Sequence, residues 1–128
     1  MIKYDSFTQQ LQINRGDSTT LKIKAKDTSG SLYNFSVGEK VKFAITEKKK
    51  EGNVVFEKIV EVAEAGTFVD IPLSSEDTKI GELISKPVDY WYEVSVLTLN
   101  NEVQTIIGYV DGEPKIFTLN PEAGDSNA

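Results

Sequence analysis

The 128-residue sequence contains neither cysteine nor histidine. Without cysteine, the chain cannot form a disulfide, a thiolate metal site or a cysteine nucleophile. Without histidine, it also lacks the commonest general base and the commonest zinc ligand. These absences exclude most hydrolase and metalloenzyme mechanisms, and no serine or threonine has an evident activating partner. We therefore predict that the chain is not an enzyme and uses no cofactor.

Positive charge is scarce as well, because 14 lysine and arginine residues stand against 20 aspartate and glutamate residues, a net charge of −6. A protein of this charge repels phosphate backbones, so we expect no nucleic-acid partner. The chain also lacks the long apolar run of a membrane span and the basic, apolar start of a signal peptide. We expect no membrane association and a protein that stays soluble in the cytoplasm of the cell that makes it.

No window of the sequence carries the i, i+3, i+4 apolar spacing of a long amphipathic helix. Aromatic and β-branched residues recur instead in short runs separated by Gly, Asn, Asp and Ser. In the clearest run, Thr19 to Lys26, the apolar residues Leu21, Ile23 and Ala25 alternate with polar ones. About seven or eight such strands predict an all-β fold of two packed antiparallel sheets, with at most one short helical turn, at Ser74 to Thr78.

The middle of the chain predicts a β-hairpin. Apolar alternation ends near Ile45, is broken by the polar stretch from Lys48 to Asn53, and resumes from Val54 to Val62. Lys58 interrupts the apolar phase of the return strand. We therefore predict a β-bulge near Glu57 and Lys58.

The longest predicted strand, Val88 to Leu99, has large apolar side chains on both faces near its start and should be central in its sheet. Tyr90 and Tyr92 share one face of this strand, and Trp91 points to the other. Asn100-Asn101 supplies residues that tolerate positive φ, which predicts a tight hairpin to the following strand.

The pattern of strands and turns continues to about residue 120 and shows no second domain. We predict one sandwich domain over residues 1–120 and a flexible polar tail over residues 121–128. Turns are predicted at Asp27 to Gly30 and at Asp111 to Pro114. Pro72 has no amide N–H, so its strand should lie at a sheet edge or end there.

Two features of the sequence are candidate binding sites. Lys48, Lys49 and Lys50 could bind an acidic surface or a phosphate, although a charged hairpin tip also keeps a loop soluble and discourages pairing of strand edges. Trp91 could join Tyr90, Tyr92 and Tyr109 in an aromatic platform for sugar, or it could cover one face of its sheet. The integrin-like tripeptide Arg15-Gly16-Asp17 is interpreted as a turn. No acidic residues have the spacing of a calcium loop, so we predict no metal site.

Three stretches of the sequence follow the strand and turn pattern of a known family: INRGDSTTLKIKAKDTSGSLYNFSVGEKVKFAI, FVDIPLSSEDTKI and VDYWYEVSVLTLNNEVQTIIGYVDGEPKIFTL. They contain a Gly-Asp turn between strands, an edge strand followed by a Ser/Thr-x-x-Asp/Glu turn, and a Tyr-x-Tyr-x-Val strand that leads into a hairpin. Together they cover most of residues 13 to 119. In this order they resemble small β-sandwich proteins of Gram-positive prophages, related to the immunoglobulin-like N-terminal domain of phage baseplate upper proteins.

This resemblance implies an immunoglobulin-like antiparallel β-sandwich that serves as a structural protein of a phage or prophage virion, in its tail or baseplate. The implied partners are other phage tail and baseplate proteins. The implied location is the virion, with soluble protein in the host cytoplasm before assembly. A homo-oligomer is left open, and a carbohydrate-binding module for bacterial surface glycans is the alternative function.

Overall fold

A computed structural model of the chain consists of β-strands joined by turns. The structure describes residues 2–5, 10–25, 31–82, 84–107 and 115–121. The strands within these ranges are β1 (Ile2–Asp5), β2 (Gln10–Asn14), β3 (Thr19–Ile23), β4 (Lys40–Glu47), β5 (Val54–Glu61), β6 (Val69–Leu73), β7 (Val88–Leu97), β8 (Val103–Ile107) and β9 (Lys115–Asn120). In the same ranges, no helix is long and apolar enough to cross a membrane.

The strands form two sheets of unequal size. The larger sheet has the order β1-β2-β9-β7-β4-β5, with β8 also paired to β7, and the smaller sheet consists of β3 and β6. In an immunoglobulin sandwich, strands C, F and G are neighbours in one sheet and strands B and E are neighbours in the other. Strands β4, β7 and β9 correspond to the first set, and β3 and β6 to the second. The predicted all-β, immunoglobulin-like sandwich is therefore confirmed.

The sequence predicted antiparallel pairing throughout. The structure differs in one place, because β2 runs parallel to β9. The backbone N–H of Arg15 continues this contact by donating to the carbonyl of Asn120, at 3.0 Å. Strand β1 also was not predicted; it pairs with β2 at the edge of the larger sheet. Apolar alternation indicates which side chains of a strand point inward, but it does not indicate the direction of the neighbouring strand.

One apolar core lies between the two sheets. Phe43 of β4 is fully buried within it, and its ring centroid lies 5.9 Å from that of Tyr92 and 6.3 Å from that of Phe117. The smaller sheet contributes buried side chains at alternate positions, namely Leu21, Ile23, Val69, Ile71 and Leu73. The period-two burial predicted from the sequence is thus confirmed, although β3 ends at Ile23, before the predicted Lys26.

The prediction of a β-bulge at Glu57 and Lys58 is wrong, because both residues pair regularly with β4. The irregularity lies nearer the start of β5: Phe56 pairs with Ile45 and Val54 with Thr46, so Val55 is the extra residue. Lys58 keeps its inward position because its ammonium group reaches Oδ2 of Asp77, at 3.0 Å. A lysine can lie in an apolar row when its aliphatic stem lies along that row and its charged end leaves it.

The predicted turn after β6 is present and is closed by reciprocal hydrogen bonds. The backbone N–H of Asp77 donates to Oγ of Ser74 at 3.1 Å, and the backbone N–H of Ser74 donates to Oδ2 of Asp77 at 2.9 Å. The hairpin between β7 and β8 is also confirmed, because the two strands pair antiparallel and Asn101 between them has a φ of 63°. The predicted turns at 27–30 and 111–114 and the predicted tail beyond Pro121 lie outside the described residues.

The integrin-like tripeptide forms a turn, as predicted, and Gly16 has a φ of 86°. Arg15 is only 7% exposed, and its Nη2 donates to the carbonyl of Gly81 at 2.9 Å. A buried arginine of this kind is not available to a receptor. Its function in this protein is to tie the turn before β3 to the segment that follows β6.

The hydroxyl of Thr78 joins the same two segments. Thr78 is buried, and its Oγ1 accepts a hydrogen bond from the backbone N–H of Gly16 at 2.9 Å. The same atom lies 2.8 Å from the carbonyl oxygen of Asp17, to which it can donate. A buried donor or acceptor that loses its partner costs about 1–3 kcal/mol.

We predict that Thr78→Val lowers the free energy of unfolding by about 1–3 kcal/mol, because valine keeps the shape but removes the acceptor of the backbone N–H of Gly16. Chemical denaturation with urea measures this change. The matched control is Thr20→Val, at an exposed position of β3, which should change stability by less than about 0.5 kcal/mol. Equal effects of the two variants would contradict this role for Thr78.

Candidate functional site

The outward-facing side chains of β5, of β4, of β7 from Trp91 onward and of the start of β8 form one continuous surface, which we call the outer face. Cross-strand pairs place its members opposite one another, since paired residues point to the same side of a sheet. They are Val54, Glu57, Ile59 and Glu61 of β5, Lys40, Lys42, Ala44 and Thr46 of β4, Trp91, Glu93, Ser95 and Leu97 of β7, and Val103 of β8.

Large apolar side chains of the outer face are in contact with solvent. Ile59 is 54% exposed and Val103 is 70% exposed, and Leu97 and Trp91 are half-buried. Ile59 and Leu97 contribute to a shallow groove of about 230 Å³ whose lining residues are Lys40, Lys42, Glu57, Ile59, Ser95, Leu97 and Val103. The groove has apolar walls and two lysines on its central strand. A surface of this kind is suited to contact another macromolecule.

The charges of the outer face are arranged by strand. Lys40 and Lys42 lie on β4, Glu57 and Glu61 lie on the neighbouring β5, and Glu93 lies on β7 on the other side. Within the described part of the chain, none of these five side chains forms an ion pair. The face therefore presents a positive stripe between two negative ones.

Trp91 lies on the outer face, and the tyrosines beside it do not. Tyr92 is buried against Phe43, and the ring of Tyr90 contacts that of Phe117 with centroids 6.5 Å apart. Trp91 has Thr46 and Ile116 as its cross-strand neighbours. Alternation along β7 thus separates Trp91 from Tyr90 and Tyr92, as the sequence predicted.

The lysines of the hairpin tip are exposed, and two of them lie near carboxylates. Nζ of Lys48 lies 3.9 Å from Oδ2 of Asp89, and Nζ of Lys49 lies 3.2 Å from Oε2 of Glu47. The pKa of Glu47 is lowered, mainly because its carboxylate accepts a hydrogen bond from the backbone N–H of Asn53, and further because of Lys49. Lys48 and Lys49 thus approach different carboxylates, and the binding function of Lys48, Lys49 and Lys50 remains a prediction.

No family model, curated protein or solved structure matches this chain.

The described residues contain no group of three or more acidic side chains that could hold a metal ion. Glu39 is the one buried carboxylate among them. It accepts hydrogen bonds from the hydroxyl of Tyr33 at 2.6 Å and from the backbone N–H of Ser36 at 2.7 Å. These contacts close the loop that precedes β4. Glu39 is thus explained by the fold of its own loop.

The outer face could not be identified from the sequence by a motif, because it consists of ordinary strand residues. One feature indicates it: Ile59 and Val103 are large apolar residues at strand positions that alternate with the buried ones and therefore point away from the core. The outward direction of Ile59 could not be assigned from the sequence, because Lys58 interrupts the apolar alternation of that strand. The two candidate sites predicted from the sequence lie close to the outer face: Lys48, Lys49 and Lys50 at the hairpin tip lie beside this face, and Trp91 lies within it.

The hydrogen bond to Glu39 raises the pKa of Tyr33 to about 12, with burial and the charge of Glu39 as further causes. The protonated phenol therefore stabilises the fold fully below pH of about 10, and this stabilisation is lost as the pH rises through about 12. We predict that an ultraviolet titration of tyrosine ionisation has a step near pH 12 that disappears in Tyr33→Phe.

The control is Tyr90→Phe, which should retain that step. Between pH 10 and pH 12, the free energy of unfolding should also fall less steeply in Tyr33→Phe than in the unchanged chain. A step near pH 12 that persists in Tyr33→Phe would show that another group ionises there.

Proposed function

We propose that this chain is a structural protein of a phage or prophage virion, and that it acts by protein–protein assembly in a tail or baseplate. The observation that carries the proposal is the outer face, where exposed apolar side chains lie among charges that have no ion pair within the described residues. Interfaces between proteins combine apolar contacts with polar and charged ones, and this face offers both. The resemblance to phage baseplate sandwich domains supplies the biological setting.

Assembly is better supported than catalysis or the binding of glycans. The buried carboxylate of Glu39 is held by its own loop, and the outer-face groove is shallow and contains lysines, with a single carboxylate among its lining residues. A sugar platform needs neighbouring aromatic rings on one exposed surface, whereas Tyr90 and Tyr92 face the core behind Trp91. Tyr109 lies outside the described residues. The proposed location of the protein follows from its proposed function and is the assembled virion.

We predict that the chain is present in phage particles purified after induction of the host, and that Ile59→Asp lowers its amount in them by about tenfold or more, because a desolvated carboxylate disfavours the interface. Immunoblotting of purified particles measures this amount. The substitution is at an exposed position, so the fold should be retained.

The matched control is Phe68→Asp, because Phe68 is a large apolar residue, 44% exposed, that lies beside Lys22 of the smaller sheet. This variant should enter particles as the unchanged chain does. Particles that lack the unchanged chain would refute the virion function, and equal loss of both variants would refute the assignment of the outer face.

A further inference from the structure

We propose that the outer face is occupied by a second copy of this chain, in a two-fold symmetric dimer. The inference rests on the proposed function, because it names the partner of the same face. An interface between identical copies about a two-fold axis uses the same patch on both sides. Such a patch must therefore be complementary to itself in charge and in shape.

The charge stripes of the outer face meet this requirement. Lys40 lies opposite Glu61 across the β4–β5 pair, and Lys42 lies opposite Ile59. A two-fold axis parallel to the strands and between β4 and β5 places β4 of each copy over β5 of the other. Lys40 of one copy then lies over Glu61 of the second copy, and the symmetry makes this contact twice.

The same arrangement covers the exposed side chain of Ile59. Ile59 of one copy comes to lie over the stem of Lys42 of the second copy, whose methylene groups can pack against it. The neighbouring groove between Ile59 and Leu97 is open to receive side chains from the opposite face. Covering an exposed isoleucine in this way is favourable by the ordinary hydrophobic effect.

The net charge of the chain also favours contact through this face. Two copies that each carry a charge of −6 repel each other at long range. The outer face carries two lysines and three glutamates, which gives 2 − 3 = −1. The outer face is therefore close to neutral, and contact through it adds little to the repulsion between the two copies.

The free strand edges on the same side of the sandwich are poorly suited to pairing with another strand. Strand β5 has an inward-pointing charged residue, Lys58, in the row formed by Phe56 and Val60. Strand β6 contains Pro72, which lacks a backbone donor. Inward charges and prolines on edge strands are devices that prevent edge-to-edge association. Two copies are therefore expected to meet face to face.

Analytical ultracentrifugation of the full chain and of charge-swap variants tests the proposal. We expect the unchanged chain to sediment as a dimer at about 100 µM, and Lys40→Glu and Glu61→Lys each to raise the dimer Kd by about tenfold or more. The double variant, Lys40→Glu with Glu61→Lys, should restore dimerisation because each lysine again lies over a glutamate. Lys24→Glu, at an exposed position outside the outer face, is the matched control and should leave the Kd unchanged.

A monomer at about 100 µM would overturn the proposal, since the Kd of a dimer used in assembly should lie well below that concentration. A dimer that resists both single variants, or a double variant that dissociates as the singles do, would overturn it as well. The measurement is separate from incorporation into particles. A monomeric chain whose Ile59→Asp variant is nevertheless lost from virions would refute the self-pairing and leave the proposed function in place.

Discussion

The register of β4 is the constraint on which both the core and the outer face depend. This strand pairs with β5 on one side and with β7 on the other, over nearly its whole length. Val41, Phe43 and Ile45 point into the core, and Lys40 and Lys42 point outward. A slip of one residue would exchange the two sets, placing lysines between the sheets and a phenylalanine in solvent. The apolar core therefore fixes the position of the charges that the proposed interface uses.

The two sheets differ in size, and an ion pair between Lys58 and Asp77 joins them at the edge where β5 lies. The inward residues Phe56 and Val60 of β5, at the edge of the larger sheet, are only half-buried. Lys58, between them, reaches Asp77 in the turn after β6. The pKa of Asp77 is lowered, first by the backbone N–H of Ser74 and then by Lys58. Its carboxylate is therefore charged at neutral pH, and the link between the sheets weakens only as the pH falls through the lowered pKa.

Much of the fold could be predicted from the sequence because burial in this protein has a period of two. The strands that cover residues 40–47 and 88–97, the hairpin at Asn101 and the turn at Ser74 all follow from local patterns. The parallel pairing of β2 with β9 could not be predicted, since these strands are about 100 residues apart and their alternation carries no direction. The bulge at Val55 was predicted at the wrong position because Lys58 interrupts the apolar alternation of β5. The ion pair that lets Lys58 point inward could not be read from the local pattern, since Asp77 is 19 residues away.

The outer face was harder to predict than the core because it depends on which strands are neighbours. Lys40, Glu61 and Ile59 are unremarkable in sequence, and they become a pattern only when β4 lies beside β5 and β7. Once the order of strands is known, the alternation of charge between strands follows from their parity. The chain as a whole is acidic, yet this face is nearly balanced and retains exposed apolar groups. Repulsion elsewhere combined with attraction here would restrict association to one orientation, which is the property that an assembling structural protein requires.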